Sequence, residues 1–229
     1  MKFAPLIEKI TAASNEVQLR SCFMDCAGDL IGATAWGIDL LDRRFQVIES
    51  DLRGVPDTFR DRYQSVGRDG DQISQQMIKD QIPVHNLSVY SLPEWHQSAL
   101  YQSLCCPYEL EHGLVAPLIG NGYVIGGIYF MRGRGFPAFH DGDRIQLSSL
   151  CLHLSVRLAT FRLALDPFLV NALTPRELDI ADLVAQGNSN RVIALKLNIS
   201  RDAVKQILKR MFRKLGVSAR AEMIAKLKA

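Results

Sequence analysis

Apolar residues recur at helical spacing from about Leu6 to Leu30, which predicts one long amphipathic opening helix. The period then changes. Ala33 to Leu40 and Phe45 to Ile48 read as β-strands joined by a turn over Leu41-Asp42-Arg43-Arg44. Pro56 to Tyr63 and Gln72 to Gln81 return to helical spacing on either side of the Gly/Asp-rich Gly67-Arg68-Asp69-Gly70-Asp71. A clearer hairpin follows: Leu114 to Ile119, a turn at Gly120-Asn121-Gly122, then Tyr123 to Met131. Asp141 stands where it would cap a long helix reaching about Ala164. Along that helix Leu147, Cys151, Leu154, Leu158, Phe161 and Leu165 alternate in spacing between four and three. Such a seam either faces its own domain or pairs with a second copy. Hairpins flanked by long helices, without βαβ units, predict an antiparallel sheet covered by helices on both faces, an α/β/α sandwich in an α+β chain.

From Leu173 onward the pattern is helical throughout. Thr174 is an N-cap type, Pro175 suits the first helical position, and Glu177 stands at capping-box spacing. Leu178, Ala181, Leu183 and Val184 continue the stripe until Gly187 stops it. Ser189 opens a short helix carrying Val192, Ile193 and Leu197. A tight turn at Asn198-Ile199-Ser200 leads into a third helix, Arg201 to Leu215, ended by Gly216, and a fourth covers about Ala219 to Lys226. Two short helices joined by a tight turn, the second one basic, predict a helix-turn-helix in a four-helix domain.

Charge sharpens this division. Residues 172–229 hold 12 Lys/Arg against 5 Asp/Glu, a net of +7, while residues 1–171 hold 15 against 19, a net of −4. A basic half beside an acidic one points to nucleic-acid contact by the basic half. In the third helix Val204, Leu208, Met211 and Leu215 form the buried stripe. Arg201, Lys205, Gln206, Lys209, Arg210 and Arg213 are then the candidate DNA contacts, with phosphate neutralisation supplying most of the affinity.

Length allows about two domains: 1–165, a linker over 166–172 in which Pro167 disfavours a continuous helix, and 173–229. No apolar run reaches membrane-spanning length and no signal-peptide pattern opens the chain, so a cytoplasmic protein is expected. The five cysteines, Cys22, Cys26, Cys105, Cys106 and Cys151, are odd in number and lack zinc spacing, which favours packing roles over a metal site. The adjacent Cys105 and Cys106 are the one candidate thiol switch. No catalytic triad, phosphate loop or paired-carboxylate motif stands out, so neither an enzyme nor a cofactor is expected.

The C-terminal residues resemble the LuxR-type helix-turn-helix. The matching runs are Leu173 to Glu177, Gly187-Asn188-Ser189-Asn190, Ile193-Ala194-Leu195-Lys196-Leu197, Ile199-Ser200, Val204-Lys205 and Lys214-Leu215-Gly216-Val217. Ala203, Ile207 and Val192 depart from the usual Thr, His and Glu. The resemblance implies base contacts at Lys205 and Lys209 and pairing of two domains through the last helix.

Upstream, Phe59-Arg60-Asp61-Arg62-Tyr63, Asp71, Pro83 and the hairpin Gly113 to Phe130 resemble the autoinducer-binding domain of acyl-homoserine-lactone receptors. That resemblance implies a small-molecule pocket. Asp71 would accept the ligand amide N–H and Tyr63 would donate to the acyl carbonyl. Phe59 stands for a wall tryptophan, and Asn86 for a tryptophan that donates to the lactone carbonyl. Tyr129 stands for a small Ser or Thr and fills part of the pocket, while Trp95 is a further aromatic candidate. Read without the resemblance, Tyr63 is equally a half-buried core tyrosine and Asp71 a turn or N-cap residue.

Together these readings describe a homodimeric transcription regulator of quorum-sensing type, with a double-stranded DNA operator and RNA polymerase as the expected partners. An acyl-homoserine lactone or another small, partly apolar signal would order the first domain and stabilise the dimer. Two alternatives stay open: a regulator that needs no ligand or senses something other than a lactone, and a protein that forms inhibitory heterodimers with another regulator.

Overall fold

The computed structural model describes residues 3–42, 45–66, 70–120, 122–161 and 172–227. The opening segment is two helices, α1 (Ala4–Ala12) and α2 (Glu16–Ile31), rather than the single helix expected. Asn15 explains the break: its side chain accepts from the Gln18 N–H and starts a new helix, as short polar residues favour caps over helix interiors. Gly32, at φ +66°, ends α2 in the left-handed conformation.

Five strands follow: β1 (Ala35–Leu41), β2 (Val47–Arg53), β3 (Val84–His85), β4 (Leu110–Gly120) and β5 (Tyr123–Gly133). They form one antiparallel sheet in the order β2-β1-β5-β4-β3. The second strand lies later than its apolar residues predict. Glu49, Ser50 and Asp51 run through its centre, and an edge strand tolerates such charges because one flank is unpaired. Arg20 of α2 neutralises two of them, 3.3 Å from Glu49 and 2.8 Å from Asp51.

Period-two alternation gives each face of the sheet its own core. Ile38, Leu40, Leu114, Leu118, Ile128 and Phe130 point to α1, α2 and the long α6 (Asp141–Phe161). The opposite face meets α3 (Thr58–Val66), α4 (Gln72–Asp80) and α5 (Leu92–Gln97) through Phe59, Ile73, Met77 and Trp95. A register shift between Leu118 and Ile119 frees the Ile119 N–H, which Ser155 Oγ of α6 accepts at 2.9 Å. The α/β/α sandwich is as expected.

In α6 the expected cap is displaced, since Asp141 is already helical and Asp143 accepts from the His140 N–H at 3.0 Å. The heptad seam resolves in favour of the molecule's own core: Leu147, Cys151, Leu154 and Leu158 are buried there, with Phe161 half-buried against them. A different stripe of α6 faces outward, with Ile145, Leu152 and Val156 exposed by 72%, 62% and 60%. Leu165 of the seam, the helix end near Ala164 and linker residues 166–171 lie outside the described residues, as do Arg43, Arg44, Asn121 and 67–69 of the expected turns.

The C-terminal elements match their signals closely: α7 (Pro175–Ala185), α8 (Asn190–Lys196), α9 (Arg201–Leu215) and α10 (Arg220–Leu227). Thr174, Ser189 and Ser200 cap the first three, and Gly216 ends α9 at φ +62°. Leu178, Ala181, Ile193, Val204, Met211 and Met223 lie in their shared core. Unannounced by pattern, Glu177, Asp179 and Asp182 are buried in this basic domain. Glu177 completes the capping box with Thr174 and accepts from Lys214 at 2.6 Å. Arg176 lies 3.3 Å from Asp42 and Lys196 pairs with Glu49, so cations of α7 and α8 meet carboxylates of the first domain.

All five cysteines are unpaired; Cys105 and Cys151 are buried, with their thiol pKa values pushed up by burial, whereas Cys106 is exposed. Among the described residues no helix is long and apolar enough to cross a membrane.

Burial works to raise the Glu177 carboxyl, but Lys214 and Thr174 outweigh it and hold it below its ordinary 4.5. Its contribution is therefore complete above that value and is lost as pH falls through the depressed one. Glu177→Gln should cost on the order of 1 kcal/mol at neutral pH and leave the remaining stability less acid-sensitive. Urea unfolding at neutral pH and at about pH 3 checks this; parallel losses in both proteins would refute it.

Candidate functional site: an apolar cavity and a basic helix face

Between the second sheet face and α3, α4 and α5 lies a cavity of about 120 Å³. Its apolar wall includes Leu52, Phe59, Ile73, Met77, Leu100 and Met131. Its polar groups include Asp39, Ser50, Arg60, Tyr63, Asp71, Ser74 and Tyr129. Five of the six residues expected at a ligand site, Phe59, Tyr63, Asp71, Trp95 and Tyr129, line this one space although they come from three different elements and a loop. Asp71 serves its own helix as well, since one oxygen accepts from the Ser74 N–H at 3.0 Å and the other from Tyr63 Oη at 2.8 Å. The capping reading and the cavity reading of Asp71 both hold in position, and Tyr63 is half-buried as its core reading implies.

Asn86 is the correction. It is buried, does not line the cavity, and uses both ends of its amide in holding the fold. Its Nδ2 donates to the Glu111 carbonyl at 3.3 Å and its Oδ1 accepts from the Gly113 N–H at 3.1 Å. Trp95 borders the cavity with its ring, but its Nε1–H donates to the same Glu111 carbonyl at 2.7 Å. Trp95 thus has no donor left over for a ligand carbonyl, and Asn86, whose amide keeps a second N–H, is not on the cavity wall.

A polar cluster behind this wall follows from no motif in the chain. Glu111 accepts from Tyr101 Oη at 3.1 Å and pairs with His96 at 2.5 Å, while Arg134 donates to Tyr101 Oη at 3.1 Å. Burial works to raise the Glu111 carboxyl, but His96 and Tyr101 outweigh it and keep the pKa below its ordinary value. These residues are far apart in the chain and follow no spacing rule, so only the fold reveals them. His85 does not line the cavity, and its pKa is lowered by burial and by the Arg144 charge, keeping the ring neutral.

Tyr129 rises from the middle of β5. Its partner on β1 is Gly37, where a Cβ would lie 2.3 Å from Tyr129 Oη, so the ring lies across a floor that only glycine leaves open. Its hydroxyl bonds Ser50, and burial pushes its pKa well up, so it stays protonated.

The second site is the outer face of α9. Arg201, Lys205, Gln206, Lys209, Arg210 and Arg213 are all exposed, and Val204, Leu208, Met211 and Leu215 are buried beneath them. Lys205 makes an exposed ion pair with Asp202 at 3.1 Å, which is weak enough to exchange for a phosphate.

Asn86→Ala should behave as a fold mutant. Leaving the buried Gly113 N–H without its acceptor costs about 1–3 kcal/mol, read as a lower urea midpoint. Unchanged stability would return Asn86 to the list of available donors.

Residues 171–227 match the family described as bacterial regulatory proteins, luxR family. The nitrate/nitrite response regulator protein NarL of Escherichia coli (strain K12) is 47% identical over 53 residues, 23% of this chain and 24% of NarL. The similarity thus spans about a quarter of that relative's length. Over the whole chain the similarity is one of fold. Escherichia coli SdiA superposes with a TM-score of 0.53 at 13% identity, covering 97% of this chain and 93% of SdiA. SdiA in complex with octanoyl-rac-glycerol gives 0.54 at 13% identity, covering 97% and 91%. The N-acylhomoserine lactone dependent LuxR family factor CepR2 from Burkholderia cenocepacia gives 0.51 at 15% identity, covering 68% and 91%. Residues 171–227 thus form a C-terminal domain of the luxR family of bacterial regulatory proteins, on an N-terminal α/β/α domain with the fold of SdiA.

Proposed function

We propose that the protein is a DNA-binding transcription regulator whose first domain senses a small, partly apolar molecule. One combination carries the reading: an exposed basic helix face in a luxR-family domain and a mostly apolar cavity with a few polar groups, in one chain. Lys205 and Lys209, one turn apart, would enter the major groove, with Arg201, Gln206, Arg210 and Arg213 on bases and phosphates beside them. The folds of SdiA, solved with octanoyl-rac-glycerol, and of the N-acylhomoserine lactone dependent factor CepR2 support a sensor role for the first domain. With Asn86 and Trp95 committed to the Glu111 carbonyl, a lactone ring is the less favoured occupant. The same observation favours, as a second reading, a regulator that senses another compound or needs none.

A two-fold operator calls for a dimer, and the outward stripe Ile145, Leu152 and Val156 on α6 is the surface we assign to it. Leu152→Asp combined with Val156→Asp should yield a monomer by sedimentation equilibrium with an unchanged circular dichroism spectrum. A dimer that survives both changes would move the interface elsewhere.

The DNA assignment is tested by binding to selected duplexes across a salt series. Lys205→Ala and Lys209→Ala should each weaken binding and, where a phosphate contact is lost, lower the log–log salt slope by about 1. Unaltered affinity in both variants would remove α9 from the interface.

A further inference from the structure

We infer that the cavity's occupant is a compact, neutral carbonyl compound about the size of a single aromatic ring, and that Tyr129 sets this limit. The inference rests on the sensor reading above and narrows it to a ligand class.

Size comes first. The cavity holds about 120 Å³, a little less than the engineered apolar cavity of roughly 150 Å³ that takes up benzene. A long acyl chain does not fit such a space. The limit traces to one side chain. The floor beneath is stripped of bulk by Gly37 on β1, Gly113 on β4 and Gly127 on β5. Tyr129 takes much of that room back, its ring over Gly37 and its hydroxyl on Ser50 of β2. Because a Cβ at Gly37 would lie 2.3 Å from the Tyr129 hydroxyl oxygen, the two residues fit each other and the ring is anchored at both ends.

Chemistry comes second. Arg60 lines the cavity, and its Nη2 donates to the Ser50 carbonyl at 3.0 Å. Its Nε–H is buried and has no hydrogen-bond partner. A buried guanidinium N–H of this kind calls for an acceptor. Asp39 and Asp71 stand on the same walls, two carboxylates against one guanidinium, so a further anion is disfavoured and a neutral carbonyl oxygen fits. Asp71 is already engaged by Tyr63 and the Ser74 N–H, and Trp95 and Asn86 by the Glu111 carbonyl. Arg60 Nε–H, a buried donor on the cavity wall without an acceptor among the described residues, is the group we assign to the occupant.

Thermal melting of the full-length protein tests this with acetophenone and methyl butanoate as compact carbonyl probes, methyl decanoate as a long one, benzoate as an anion and ethylbenzene as a ring without a carbonyl. Acetophenone or methyl butanoate should raise the wild-type melting temperature by a few degrees, with methyl decanoate, benzoate and ethylbenzene giving less. Tyr129→Ser should gain a response to methyl decanoate, whereas Tyr129→Phe, which keeps the ring, should retain the compact preference. Arg60→Met should erase the difference between acetophenone and ethylbenzene. A wild-type response to methyl decanoate equal to that of Tyr129→Ser would overturn the size limit and leave the sensor reading intact. Benzoate stabilising as well as acetophenone would overturn the neutral-carbonyl assignment. No response in the wild type would overturn the ligand class, and silence in Tyr129→Ser as well would take the sensor reading down with it.

Discussion

A single main-chain carbonyl, that of Glu111, ties the least regular part of the molecule to the sheet. Asn86 and Trp95 both donate to it, while the Glu111 carboxylate holds His96 and Tyr101. The segment from Val84 to Tyr108 contains only a two-residue strand, α5 and short helical turns. On its own such a segment has too little internal hydrogen bonding to keep a fixed shape. Anchored at Glu111, it becomes the wall that closes one side of the cavity, with Trp95, Leu100 and Leu104 turned inward. The polar residues near the cavity therefore divide into those that hold the wall and those that face the space, and proximity alone does not tell them apart.

The C-terminal domain solves a different problem, that of concentrating positive charge without losing its core. Glu177, Asp179 and Asp182 are buried on α7, where Lys214 and Arg176 lie near Glu177 and Asp179 and Tyr123 of the first domain reaches Asp182. The outer face of α9 is left almost wholly cationic, as long-range attraction to a polyanion requires. Arg176 and Lys196 point the other way, toward Asp42 and Glu49 of the acidic domain. Burial works to raise the Glu49 carboxyl, but Lys196 and Arg20 outweigh it, so Glu49 stays ionised and available to that contact. The opposite net charges of the two halves thus have a local counterpart where they meet.

The elements legible in the sequence are those whose cause is local. Thr174, Ser189 and Ser200 announce three helices, Gly216 ends one, and the β4–β5 hairpin follows from alternation around glycine. The break at Asn15 was also readable, since Ser14 and Asn15 favour a cap; apolar spacing continuing across them hid it. Strand β2 was obscured because its charges are answered by Arg20, some thirty residues earlier in the chain. The α6 seam shows the limit of periodicity, which identifies a buried stripe but not what buries it. At the cavity, resemblance named Tyr63, Asp71, Phe59 and Tyr129, which share one lining, and Asn86, which does not, because the Glu111 carbonyl that claims it leaves no mark in the sequence.

The glycines under Tyr129 have a consequence for the cell. A glycine inside a strand weakens it by roughly 0.5–1 kcal/mol relative to alanine, and Gly37, Gly113 and Gly127 stand in three neighbouring strands at the centre of the sheet. The absence of side chains that makes room for a molecule also leaves the empty domain short of part of its own interior. An occupant supplies that missing interior, so the empty chain opens more often and meets proteases in that state. On the sensor reading proposed above, the amount that survives degradation would itself be a readout of the signal, and concentration of the regulator would join affinity for DNA as a variable the small molecule controls.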